Sequence, residues 1–370
     1  MPNVGGLGLT DVRYPHRPGY GTQGMKIVLR TNYFELVPAS DLVLHRYHVG
    51  VQPTAAGRAP VGKKLKRVVA LLLEADLFAG IRDQVATDHA STIISRAKLP
   101  GLDLQGAEVE VSVPYRTEDE DEPRERAVSY RIIVQKTGII TVSELMDFLR
   151  STSANAVYNS NAKDQAIQAL NIIMARSPST NPNVVCPGKN KFFPIGQNAT
   201  RTDLSRVLQA IRGYYTSVRA ATGRILVNVN VSHDVFLKPG GLDQLIEDFG
   251  NEYGPNVYRL EKFLKGVRVE LIHLPARKGK NGQVKRRIKT IFGLANTNDG
   301  HGREKPPKVA KFGAGALEVQ FFHGDLPGKG PGIKPGAKAP PNDYVTVFNF
   351  FQKGKSTTIH RGKILANSLI

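Results

Sequence analysis

From Ile225 to Val231 apolar side chains recur at every second position. Ile225, Val227, Val229 and Val231 share one face, while Leu226, Asn228, Asn230 and Ser232 share the other. A period of two belongs to extended chain, and one apolar face against a largely polar one predicts a strand covered on a single side. Immediately before it, "RGYYTSVR" (Arg212 to Arg219) sets two tyrosines between basic residues. The segments "AEVEVSVPY" and "YRIIVQKTG" alternate in the same way around the acidic loop "TEDEDEPRER". By contrast, Leu65, Val68, Val69, Leu72 and Leu73 form a stripe at helical spacing, with Lys63, Lys64, Lys66 and Arg67 in its first turns. Strands and helices in this mixed order predict an α+β fold, and 370 residues suffice for two or three domains.

The remaining segments extend the pattern. "KIVLRTNYFELV" and "LHRYHVGV" read as strands. Thr141 to Glu144 spells a capping box that opens a helix through Arg150. A second helix carries Ala166, Ile167, Leu170, Ile173 and Met174 on one face. "SPSTNPNVVCPGKNKFFPIGQN" reads as a proline-punctuated connector. Asp203 then leads an expected helix, "LSRVLQAI", followed by a tight turn at Gly213, with the two tyrosines packed on that helix. Past Gly240, "LDQLIEDFG" is a short helix, and "LEKFLKGVRVELIHL" runs from helix into strand. Short strands between loops such as "HGREKPPKVAKFGAG" and "GDLPGKGPGIKPGAKAPPNDY" predict a small barrel with insertions.

Charge is the strongest global signal. The net charge of +19 is placed unevenly: from residue 262 onward there are 21 Lys/Arg against 6 Asp/Glu. A basic C-terminal third points to a polyanion, because cationic side chains displace counterions from phosphates. A merely solvated basic tail is the competing explanation.

Most catalytic chemistry finds no support. No G-x-x-x-x-G-K-[ST] occurs, and "KFGAGAL" lacks the third glycine and the strand-to-helix setting of a dinucleotide site. The nine histidines are scattered, and strand geometry puts the one close pair, His45 and His48, on opposite faces. Cys186, the sole cysteine, precedes Pro187 without a nucleophile signature and excludes an internal disulfide framework. Neither a metal nor an organic cofactor is expected, and no catalytic residue is assigned. The acidic run Glu118 to Glu122 reads as solvated and mobile. The longest aliphatic run, "VVALLLEADLF", is too short and too charged to cross a bilayer, and the N-terminus lacks an apolar signal core. The expectation is a protein of the cytoplasm, or of the nucleus, with no membrane partner.

What remains is basic residues with aromatic ones. Single-stranded RNA is held by cations on its backbone and by rings stacked on bases or riboses. Arg277, Lys278, Lys280, Lys285, Arg286, Arg287 and Lys289 gather around one turn, and Phe321, Phe322, Tyr344, Phe348, Phe350 and Phe351 follow. Phenylalanines in strands more often fill a core, so this pairing alone decides little.

Segment order decides more. "RPGYGTQGMKIVLRTNYFEL" resembles the entry of the argonaute N-terminal domain. "ALNIIMARSPS" with "KNKFFPIG" is similar to the passage from that domain to the first linker, and "IRGYYTSVRAATGRILVNVNVSHDVFLKPG" to the linker itself. The resemblance covers roughly residues 15 to 350. It implies a flexible arm at 1–24, an argonaute N-terminal-like α+β domain at 25–185, a linker with helices and strand at 186–240, an incomplete PAZ-like small β-barrel with long basic loops at 241–355, and an atypical tail at 356–370.

The resemblance also implies roles. "VRVELIH" is similar to the strand that carries the family's pocket histidine, which falls on His273. The basic turn falls on "KRRIKT", with Ile288 where the family has an aromatic, and the helix with an aromatic pair falls on "VFNFFQKG". The RNA-binding set is then His273, Arg277, Lys278, Lys285, Arg286, Arg287, Lys289, Phe321, Phe322, Tyr344, Phe350 and Phe351, with affinity also from the basic residues at 303–311. The closing segment "KGKSTTIHRGKILANSLI" departs from the family pattern, and the expectation is a fragment without the family's MID and PIWI domains. The expected activity is therefore weak binding of a small guide RNA's single-stranded 3′ end within RNA silencing, alongside other silencing-pathway proteins and without slicing. The alternative is a truncated protein-interaction or structural fragment that binds no RNA specifically.

Overall fold

The computed structural model describes residues 25, 27–53, 57–118, 120, 122–151, 160–197, 199–272, 277–278, 284–285, 287–322, 344–354 and 367–369. In chain order the elements are β1 (Tyr33–Leu36), β2 (Val43–Val51), α1 (Gly62–Leu72), β3 (Val85–Thr87), β4 (Thr92–Ser95), β5 (Glu108–Pro114) and β6 (Ser129–Thr141). Then come α2 (Val142–Arg150), α3 (Ser160–Thr180), β7 (Val184–Gly188), β8 (Lys191–Pro194), β9 (Arg201–Asp203), β10 (Leu208–Ala221) and β11 (Arg224–Leu237). The last third holds α4 (Leu242–Tyr253), α5 (Val257–Leu264), β12 (Arg268–Glu270), β13 (Arg277–Lys278), β14 (Val284–Lys285), β15 (Ile288–Thr290), β16 (Gln320–Phe322), β17 (Tyr344–Thr346), α6 (Val347–Gly354) and β18 (Asn367–Leu369). The chain is an α+β, multidomain protein. It divides into a first unit, residues 1–201 with 211–234, and a second, residues 202–210 with 235–370.

The first unit is built on two sheets. One is antiparallel, in the order β3-β4-β2-β6-β5, and the other runs β1-β11-β10-β8-β7. The α1 stripe read from the sequence buries Val68, Val69, Leu71 and Leu72 against Tyr47, Val49, Ile132 and Val134. The opposite side of the β2 sheet packs Leu44, Ile94 and Ile140 on α2 and α3, and Val218, Ile225 and Val227 of the second sheet close the same core. Two side chains pin α3 in place. Arg176 donates to the carbonyls of Val85 and Arg82, and the Asn171 side-chain oxygen accepts from the Val218 N–H. Alternation in β11 behaves as read at its start, with Ile225 and Val227 buried, but Val231 is 56 % exposed because the covering core ends before it.

Four expectations in this region are corrected. The helix expected over "LSRVLQAI" is instead the approach to β10 and its first four residues, so the tyrosines pack within a sheet, where Tyr214 lies 5.4 Å from the Phe192 ring. The buried positions of this stretch are Val207, Gln209, Ile211 and Gly213, alternating as a strand requires, and Gln209 satisfies its amide by donating to the Leu237 carbonyl. Gly213 therefore makes no turn. The proline-rich connector contains the hairpin β7–β8, reversed at Lys189-Asn190 with Asn190 at φ 57°. Asparagine tolerates that left-handed region better than most residues. At α2, Thr141 takes the N-cap position without a side-chain cap bond, so the capping box is not formed. Within the acidic loop one carboxylate has partners. Glu120, its side chain only 18 % exposed, accepts from the Thr117 N–H and pairs with Arg124 at 2.6 Å.

The second unit has its own core, in which Val207, Leu245, Phe249, Leu264 and Val269 are buried and Phe263 and Ile291 pack against them. Its strands are short. β15-β12-β18 form one sheet, β13 pairs with β14, and β16 pairs with β17. Among the described residues the region expected to form an incomplete barrel consists of these three separate pieces, each strand two or three residues long.

Candidate nucleic-acid interface

The geometry of the site starts from the β16–β17 register, which sets Phe321 opposite Val345 and Phe322 opposite Tyr344. The chain enters α6 directly from β17. The Thr346 hydroxyl accepts from the Asn349 N–H at 3.1 Å, an N-cap arrangement. The Val347 and Phe348 N–H groups donate to the carbonyls of Val319 and Ala316 at 3.0 and 2.9 Å. These bonds hold the first turn of α6 beside the residues leading into β16. Phe350 then meets Phe321 edge to face at 5.3 Å, Phe351 meets Phe350 at 5.4 Å, and Phe322 meets Tyr344 at 5.8 Å. All five rings are half-buried. The cluster is ordered by T-shaped contacts without being sealed from solvent.

Cations reach the same cluster from the "REKPPK" segment. Lys308 pairs through its backbone with Gln320, at 2.8 and 3.0 Å, and so extends the edge of β16. Its ammonium lies 4.0 Å from the Tyr344 ring centroid, and that of Lys305 lies 3.8 Å from the Phe322 centroid. Between them the Pro306 carbonyl accepts from the Tyr344 hydroxyl at 2.9 Å. Two consecutive prolines fix φ between the two lysines, both of which meet the rings. Gly300 makes room for the arrangement: at φ 70° its Cβ would lie 2.5 Å from Pro307 Cδ. Nearby, Glu318 is occupied by the Gly315 N–H and by Lys311 at 2.9 Å, and these bonds hold its carboxyl below the usual carboxylate range. Cations at such distances from ring centroids are attracted by the ring quadrupole. A surface of this kind offers charge for phosphate and ring edges for ribose or base.

The other expected site residues are placed elsewhere or lie outside the described residues. Arg287 and Lys289 belong to the run through β15, where Leu271 donates to the Arg287 carbonyl and Lys289 sits opposite Val269. Arg277, Lys278 and Lys285 are described in their backbone only, as the β13–β14 hairpin. His273 and Arg286 lie outside the described residues, as do the arm at 1–24 and most of the tail. Lys305 and Lys308 were not singled out by the sequence beyond their membership of a basic run. The signal that could have found them is the pair of lysines spaced by two prolines. Among the described residues no group of three His, Cys, Asp or Glu side chains could hold a metal, and no helix is long and apolar enough to cross a membrane.

Comparison with known proteins bears on the part of the chain that precedes this surface. Residues 25–174 match the N-terminal domain of argonaute, and residues 187–238 match the argonaute linker 1 domain. The two matches together span more than half of the chain. The chain belongs to the argonaute family, through its N-terminal domain and first linker. It is 28 % identical over 267 residues to protein argonaute MEL1 of Oryza sativa subsp. japonica, covering 70 % of this chain and 23 % of that protein. It is 25 % identical over 272 residues to protein argonaute 5 of Arabidopsis thaliana, covering 71 % and 26 %. The chain thus spans about a quarter of the length of these curated relatives. Among solved structures, Kluyveromyces polysporus Argonaute with a guide RNA aligns with a TM-score of 0.48 at 16 % identity, covering 77 % of this chain and 35 % of that one.

Proposed function

We propose that this chain is an RNA-handling part of an argonaute, acting in RNA-mediated silencing by holding a small RNA near its single-stranded 3′ end. The observation that carries the reading is the placement of Lys305 and Lys308 over Phe322 and Tyr344, beside the Phe321, Phe350 and Phe351 rings. Family membership supports RNA as the polyanion, and the basic C-terminal third supplies long-range attraction. The role assigned is binding, with no cleavage step, in the cytoplasm or nucleus and in company with other silencing proteins. Two lysines on phosphates contribute about 1.4 to the slope of log affinity against log salt for a single strand. The test is fluorescence polarisation of a short single-stranded RNA with a 3′ hydroxyl against the same RNA with a blocked 3′ end. Lys305→Glu with Lys308→Glu should weaken binding about tenfold and reduce the preference for the open end.

A second reading, a protein-interaction region without specific RNA recognition, is favoured by one observation. Met25, Ile27, Val28 and Leu29, just ahead of the edge strand β1, are 72–97 % exposed, and Phe34 within it is 59 % exposed. Equal competition by blunt duplex, single strands and heparin would support that reading over the first.

A further inference from the structure

A different face of the second unit carries exposed rings beside exposed lysines. In α5, Leu260, Phe263 and Leu264 turn toward the core, where Phe263 packs on Phe249 at 4.6 Å. Tyr258, Lys262 and Lys265, at i, i+4 and i+7, therefore share the outward face. Tyr258 is 68 % exposed, yet one side of its ring is stacked on Phe312 at 4.7 Å and 19°. The stack depends on Gly313, which at φ 72° passes so close to α5 that a Cβ there would meet Val257 Cγ1 at 2.4 Å. Phe292 is 90 % exposed, with the Lys265 ammonium 5.9 Å from its centroid. The Gly266 N–H donates to the Ile291 carbonyl at 2.8 Å and fixes Phe292 next to the end of α5. The Tyr258 ring is thus held from one side and open on the other, and the Phe292 ring is open almost all round. The acidic residue within α5, Glu261, is half-buried, its carboxylate beside Gly293.

We propose that Tyr258, Lys262, Lys265 and Phe292 form a contact for internal nucleotides of single-stranded RNA, bases stacking on the two rings while the lysines meet the intervening phosphates. Charge selects a polyanion, and flat rings open on one face select unpaired bases over duplex. Because a ring already stacked on Phe312 loses little freedom when a base is added, Tyr258 is prepared for the contact. The ridge differs from the β16, β17 and α6 cluster in needing no RNA terminus.

The experiment uses the full 370-residue chain and a short, internally labelled circular single-stranded RNA, read by fluorescence polarisation at several salt concentrations. Tyr258→Ala with Phe292→Ala should weaken binding of the circle about tenfold or more. Lys262→Glu with Lys265→Glu should weaken it similarly and lower the salt slope by about 1.4. In both variants the preference of linear RNA for an open over a blocked 3′ end should persist, which separates this ridge from the 3′-end reading. Tyr258→Phe with Phe292→Tyr should restore binding, since the stacking faces remain. Unchanged affinity for the circle in either loss variant overturns the proposal. Should the alanine variant melt early, the lysine variant decides: normal melting with lost circle binding supports the ridge, and normal melting with retained binding overturns it.

Discussion

Gly213 in β10 lies against Phe192 in β8 so closely that a Cβ on Gly213 would stand 2.3 Å from the Phe192 carbonyl oxygen and 2.5 Å from the Phe193 ring. Both phenylalanines are buried, and neither backbone nor ring can yield cheaply. Gly213→Ala should therefore destabilise the first unit by about 3 kcal/mol, at the upper end for overpacking. A chemical denaturation midpoint close to that of the parent chain would show that β8 can move aside.

Tyr47 is fully buried, and its hydroxyl accepts from the Leu99 N–H at 3.0 Å. Removing the hydroxyl leaves a buried donor without its partner. Tyr47→Phe should cost about 1–2 kcal/mol, read as a shift in urea midpoint at constant slope.

His45 and His89 give the stability of the first unit a defined pH sense. Burial lowers the affinity of both imidazoles for protons, assisted at His45 by Lys136 and Lys98 and at His89 by Lys66, with Asp88 opposing. In the folded chain both stay neutral at pH values where the unfolded chain already binds protons. Stability is thus intact above the ordinary imidazole value near 6.5 and falls as pH drops below it toward the lowered folded values. Urea midpoints should decline from pH 7.5 to 5.5, and His45→Gln with His89→Gln should flatten that decline. An identical decline in the double variant would assign the pH dependence to other groups.

How much of this the sequence disclosed depends on what each buried face carries. α1 and the start of β11 were legible because Val68, Val69, Leu72, Ile225 and Val227 are apolar at the right period and are the residues actually covered. β10 was misread because its covered positions include Gln209 and Gly213, whose polarity and missing side chain erase the period of two, while Leu204, Val207, Leu208 and Ile211 imitate a helical stripe. The β7–β8 hairpin hid behind Pro187, which signals loop more strongly than Val184 and Val185 signal strand. At the candidate interface the rings were legible as residue types. Their company was not, because Lys305 and Lys308 reach them through a pairing with Gln320 that no local pattern announces.

The central claim is that lysines held over rings on the β16, β17 and α6 surface read an RNA 3′ end. The most direct measurement is the ratio of affinities for single-stranded RNA with an open and with a blocked 3′ end. It should be compared between the parent chain, Lys305→Glu with Lys308→Glu, and Phe350→Ala with Phe351→Ala. The account predicts a ratio well above one for the parent chain that falls toward one in both variants while their melting curves stay close to the parent's. A ratio of one in the parent chain, or a ratio that neither variant changes, contradicts it.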